Sequence, residues 1–204
     1  DHLAPQFLLA LRAAGFDPAA QGAIVDLEIA GDHRPARTAD IIAVVEIVAD
    51  ALSTLQYGVD GARWRPEENF HLTLAFIGEA DRHGFNAAVD ALSAIDAPAF
   101  ELRLSGVGVF GDKKPHALWA GAEPSPELLH LQVKVETALR RAGFNLEKRK
   151  FKPHVTLAYL KGVTQDSAER YAAQHGLFSC GPFPVEDFHL YSSRLGIKSC
   201  VYRI

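Results

Sequence analysis

The sequence predicts an α+β fold built from two similar halves, and three observations carry that prediction. Runs with strand character alternate with helical runs, and several strands follow each other closely enough to pair antiparallel. An eight-residue segment recurs, HLTLAFIG at 71–78 and HVTLAYLK at 154–161, with His, Thr, Leu and Ala matching in place and only the eighth position departing from conservative exchange. Each copy also follows a proline and precedes a helical run, so the halves share their order as well as their motif.

Taken in order, an apolar run from Leu3 to about Ala14 ends at Gly15 and reads as a helix. AIVDLEIA at 23–30 alternates as a strand does. Thr38 is placed to cap a helix running through to Gly58, a start and a stop of the usual kinds. A short strand, a turn at Pro66 and a strand over about 70–77 follow, then a helix around 85–95. Strands are expected at about 99–109 and 116–122, and a helix from Ser125 to Arg141 stopped by Gly143. The order then repeats: strand at HVTLAYL, helix around 165–175, strands near 183–191 and 198–204.

With 48% of 204 residues apolar and no Gly/Ser run, charged tail or low-complexity tract, residues 1–204 read as a single unit. The longest apolar stretch, IIAVVEIVADAL at 41–52, is broken by Glu46 and Asp50 and is too short to span a membrane. No signal-peptide pattern opens the chain, and Cys180 and Cys200 stand in no C-x-x-C arrangement, so a reducing cytoplasm is expected, with a disulfide between two C-terminal strands left open. The net charge of −4 argues against a protein that grips long nucleic acid through many phosphates. Local basic clusters remain, RWR at 63–65 and KRKFK at 148–152, the second directly before PHVTL.

Side chains alternate between the faces of a strand, so Leu72, Leu74 and Phe76 share one face and His71 and Thr73 the other. In the second copy Val155, Leu157 and Tyr159 oppose His154 and Thr156. The apolar sets belong to the core, which leaves a His and a Thr from each half pointing elsewhere. Brought to one groove, two imidazoles give one proton acceptor and one donor near neutral pH. Hydroxyls beside them suit the oxygens of a phosphoryl group as charge builds. The chemistry that fits these groups is in-line cleavage of a phosphoester, with no metal needed. The other histidines form no H-E-x-x-H or similar ligand spacing, so no metal site is expected.

These paired H-x-T-L strands resemble those of the two-histidine (2H) phosphoesterases. Three longer stretches, ARWRPEENFHLTLAFIGE, LSGVGVFGDKKPHALWAGAEPSPELL and FKPHVTLAYLKG, resemble the bacterial RNA 2′,3′-cyclic phosphodiesterase branch, once described as 2′-5′ RNA ligases. The likeness runs from about residue 61 to the C-terminus. It implies a bilobal α+β fold with pseudo-symmetric lobes, antiparallel sheets facing a central cleft, and cofactor-free opening of a 2′,3′-cyclic phosphate to a 2′-phosphate. Carried over, His71 is the acid and His154 the base, with Thr73 and Thr156 as phosphate-binding hydroxyls. Residues 1–22 have no counterpart in that pattern, which implies an N-terminal helical addition, and many members carry Arg where Tyr159 stands.

By parity Tyr159 is a core aromatic; a bulge would turn it into the cleft. Arg149 or Lys152 is expected to supply the positive charge that Tyr159 cannot. RNA ends or small cyclic nucleotides are the expected partners, met by a monomer. The alternatives are an enzyme of the same chemistry for a small nucleotide, a 2′-5′ phosphodiesterase or ligase, and a noncatalytic module that holds a nucleotide or RNA end.

Overall fold

A computed structural model describes residues 6–11, 26–28, 47–195 and 200–203, with side chains placed over 47–67 and 69–190. Its strands are β1 (Gln6–Leu11), β2 (Asp26–Glu28), β3 (Ala62–Trp64), β4 (Leu72–Glu79), β5 (Phe100–Phe110), β6 (Ala117–Ala122), β7 (His154–Leu160), β8 (Ser179–Val185), β9 (Asp187–Leu195) and β10 (Cys200–Arg203). Its helices are α1 (47–53), α2 (Arg82–Ser93), α3 (Pro126–Arg141) and α4 (Gln165–Gln174).

Eight of these strands form one antiparallel path, β10-β9-β1-β4-β7-β6-β5-β8, with β2 beside β9 and β3 beside β7. The two repeat strands, β4 and β7, meet at its middle. They pair only through Leu72 and Val155, so each half keeps its own set of neighbours and the halves are joined along one seam.

The α+β class follows from periodicities that the structure bears out. In α3, Leu128, Leu131, Gln132, Val135 and Leu139 are buried at helical spacing. Ser125 accepts a hydrogen bond from the Leu128 N–H at 3.2 Å, Pro126 opens the helix, and Gly143 at φ +95° closes it. Asp81 and Thr164 cap α2 and α4 in the same way, each such cap contributing about 1 kcal/mol. The helices pack on the sheet through a core that includes Leu92, Leu104, Leu118, Leu128, Leu139, Leu157 and Phe188, all almost wholly buried.

Two expectations are corrected, and one question that the sequence left open is answered. Residues Gln6–Leu11, expected within a helix, form β1, paired to β4 on one edge and β9 on the other. A short continuous apolar run reads equally as helix or buried strand, and a place inside a sheet selects the strand. The single strand expected near 183–191 is two strands, β8 and β9, separated at Glu186. Cys180 is a buried free thiol on β8, at the opposite edge of the sheet from the β10 strand that holds Cys200, so the two strands are not placed for a disulfide. Thr38, the expected helix cap, lies outside the described residues.

Candidate active site

Because β4 and β7 are antiparallel and Leu72 pairs with Val155, one step to either side sets His71 level with Thr156 and Thr73 level with His154. The cross-strand register thus alternates the two residue types of the motif around the seam. Each imidazole is held alike: Nδ1 lies 2.9 Å from the Asn69 carbonyl in His71 and 2.6 Å from the Lys152 carbonyl in His154. Each ring therefore donates Nδ1–H to the backbone two residues earlier. In His154 this leaves Nε2 as the basic nitrogen of the neutral ring.

Parity holds at the start of each strand and then changes. Leu72 and Leu74 are buried, but so is Ala75; Val155 and Leu157 are buried, but so is Ala158. The pairing of β4 with β1 skips Leu74, and that of β7 with β6 skips Leu157, so each strand carries a bulge at the same Leu-Ala step of the motif. Beyond it the faces exchange. Phe76 and Tyr159, core residues by simple alternation, are 39% and 41% exposed and join the His/Thr face. The turn of Tyr159 into the cleft is the bulged alternative that the sequence left open.

A cleft of about 410 Å³ runs along that face. Thr73, His154, Thr156, Tyr159, Arg149 and Lys152, all expected site residues, line it together. His71 lines a smaller, mainly apolar recess with Glu67, Phe70, Leu102 and Phe183. The motif face therefore spans two concavities, with His71 tied to the cleft through its register partner Thr156.

The surroundings of His154 are aromatic and cationic. The Phe110 ring meets it edge-on at 4.8 Å between centroids, and Trp119 at 6.3 Å. Trp119 lies across Gly108, its partner on β5, where a Cβ would collide with the indole. The Lys152 ammonium stands 4.1 Å from the Trp119 ring centre and 5.2 Å from that of Phe110. Burial lowers the His154 pKa below its ordinary value, and the charges of Arg149 and Lys152 lower it further against the opposing effect of the bond to the Lys152 carbonyl. The ring is thus kept neutral and ready to accept a proton. Arg149 also reaches Glu147 at 3.7 Å, but both side chains are exposed and that pair adds little.

Several cleft residues carry no mark in the sequence. Phe76, Phe110 and His116 line it without belonging to the H-x-T pattern. Arg65 belongs to a cluster that reads as solvated surface, yet it is only 6% exposed and its guanidinium carbon lies 5.6 Å from the centre of the Tyr159 ring. Its backbone N–H donates to the Leu157 carbonyl at 2.8 Å, which fixes it beside the bulge. Among the described residues no group of three or more His, Cys, Asp or Glu is placed to hold a metal ion.

The sequence profile of the 2′-5′ RNA ligase superfamily matches residues 43–196. An RNA 2′,3′-cyclic phosphodiesterase of Archaeoglobus fulgidus is 31% identical over 150 residues, covering 72% of this chain and 82% of its own. One of Geobacillus stearothermophilus is 34% identical over 119 residues, 57% of this chain, which spans 37% of that longer relative. The crystal structure of E. coli LigT complexed with 3′-AMP superposes with a TM-score of 0.63 at 19% identity, covering 97% of this chain and 94% of LigT, and is similar in fold.

Proposed function

The chain belongs to the 2′-5′ RNA ligase superfamily, and from that premise we propose that it hydrolyses the 2′,3′-cyclic phosphate of RNA or nucleotides to a 2′-phosphate. The observation that carries the proposal is the seam itself: two H-x-T strands meet at Leu72 and Val155, and each histidine is tied through Nδ1 to the carbonyl two residues before it.

Water attacks phosphorus in line with the 3′ oxygen. His154, held neutral by burial and by two cations, takes the water proton on Nε2. A new P–O bond forms, the P–O3′ bond breaks, and His71 donates a proton to the departing 3′ oxygen. The Thr73 and Thr156 hydroxyls, level with the opposite histidines, donate to the non-bridging oxygens as charge builds on them. Arg149 and Lys152 add positive potential from the cleft wall. The protein acts as a monomer, since one chain supplies both motifs, and in the cytoplasm, where a free thiol such as Cys180 persists.

Incubation with 2′,3′-cyclic nucleotides and with RNA ending in a cyclic phosphate, in EDTA, tests the reading. A 2′-phosphate product that forms at an undiminished rate under chelation is expected. Loss of turnover in EDTA that a divalent ion restores overturns the acid/base scheme, and a 3′-phosphate product overturns the identity of the leaving oxygen.

A further inference from the structure

We propose that Arg140 of α3 is a positioning residue for the cleft: its guanidinium, bridging Glu136 and the Leu146 carbonyl, fixes the segment from which Arg149 and Lys152 face the substrate phosphate. The proposal rests on the phosphodiesterase reading only in taking a phosphate as the group that those two cations meet.

Residues 144–153 carry no helix or strand, yet they contribute a wall of the cleft and lead directly into His154. A segment without a hydrogen-bonded ladder of its own keeps its shape through its anchors. The far end is tied at Pro153, whose carbonyl accepts from the Ala122 N–H at 3.1 Å. The near end is tied at Leu146, whose side chain is buried in the core and whose carbonyl accepts from Arg140 Nη1 at 3.2 Å. Arg149 and Lys152 stand between these two points.

Arg140 is itself held. Gln132, Glu136 and Arg140 recur at i, i+4 spacing, so they follow one another along one flank of α3. The buried Gln132 amide donates to Glu136 Oε1 at 2.9 Å, and Arg140 Nη2 lies 3.4 Å from Oε2. One nitrogen of the guanidinium fork thus meets a carboxylate while the other meets the carbonyl of the cleft wall. Glu136 also lines the cleft, where an unpaired carboxylate would oppose a phosphate, and Arg140 pairs its charge. The first half uses a similar device: Gln56 Nε2 donates to the Arg65 carbonyl at 2.8 Å, ahead of His71. Each segment that leads into a motif histidine is therefore pinned at a carbonyl by a polar side chain from outside the sheet.

Backbone amide relaxation by NMR and ligand affinity test the brace together. In Arg140→Ala and in Glu136→Gln, order parameters over 146–152 should fall from a rigid value of about 0.85 toward about 0.6, with those over 65–71 unchanged. Affinity for adenosine 2′-monophosphate should drop by roughly 2- to 10-fold, the net worth of one hydrogen bond, and KM for a cyclic nucleotide should rise with a smaller change in kcat. Made in a protein that already carries Arg149→Gln and Lys152→Gln, the same substitutions should cost less than about 2-fold in affinity, because the brace acts through those two cations. Unaltered order over 146–152 overturns the brace. So does a loss of affinity that persists without the two cations, which assigns Arg140 to the fold at large. A protein that passes both tests but opens no cyclic phosphate keeps the brace and loses the hydrolase.

Discussion

The two H-x-T strands are alike in frame and unlike in surroundings. Both begin with a histidine bonded through Nδ1 to a carbonyl two residues back, and both bulge at the same Leu-Ala step. Both also turn an aromatic residue out of the core. Around that shared frame, His71 lines an apolar recess that also holds Glu67, whereas His154 lies beside Phe110 and Trp119 with Arg149 and Lys152 near it. A duplicated strand thus supplies two equivalent positions, and their neighbours set them in unequal surroundings. General acid/base catalysis needs that inequality, since one group must hold a proton while the other accepts one.

The shared frame is broken most directly at its histidines. His71→Ala and His154→Ala should each lower turnover by roughly 10²- to 10⁴-fold, the usual range for a positioned acid or base. The double variant should fall well short of the product of the two losses, because the pair acts as a unit. Rates on a cyclic nucleotide, with circular dichroism to confirm folding, decide the matter; near wild-type turnover in either single variant reassigns that histidine to structure.

The threonines ask whether the symmetry extends to the phosphate. Thr73 is level with His154 and Thr156 with His71, so Thr73→Val and Thr156→Val should cost similar amounts, roughly 10²-fold each in kcat, as for loss of one donor to a charged transition state. Valine keeps the branching that suits a strand and removes only the hydroxyl. A tenfold or larger difference between the two losses shows that the phosphate sits nearer one half than the other.

Much of this was legible beforehand because it lies in local patterns. The repeat located β4 and β7, the caps Ser125 and Gly143 bounded α3, and alternation placed His and Thr on one face. What escaped depends on partners distant in sequence. β1 has no alternation to mark it as a strand and is defined by β4 and β9 on its two edges. The bulges at Leu74–Ala75 and Leu157–Ala158 lie in the pairing with β1 and β6, so a parity count along either strand alone carries Phe76 and Tyr159 into the core. Arg65 is charged, and burial of a charge shows only once Tyr159 is seen above it. Lys152 and Arg149, by contrast, are close to His154 in the chain, and that nearness alone puts them on the cleft wall.

Those two cations give the finest test of the difference between the halves. For Arg149→Gln and Lys152→Gln, KM should rise several-fold and its dependence on salt should flatten, with a smaller change in kcat, because a cleft charge acts mainly on binding a phosphate. The pH profile separates this from loss of surface charge. His154 must be neutral to act as base and its pKa lies below 6.5, so the acidic limb of kcat/KM should fall below the ordinary histidine range. Burial is the largest cause of that depression and stays in both variants; the cationic contribution goes, so the limb should move toward higher pH without passing the ordinary value by this cause. Stability shifts in the same sense. A histidine whose pKa is depressed by folding binds fewer protons in the native than in the unfolded chain between its folded value and 6.5, so stability is lost as pH falls through that window, and removing either cation should narrow it. Unaltered KM, salt dependence and acidic limb in both variants mean that the loop charges do not reach His154, and burial among Phe110 and Trp119 alone then sets the two halves apart.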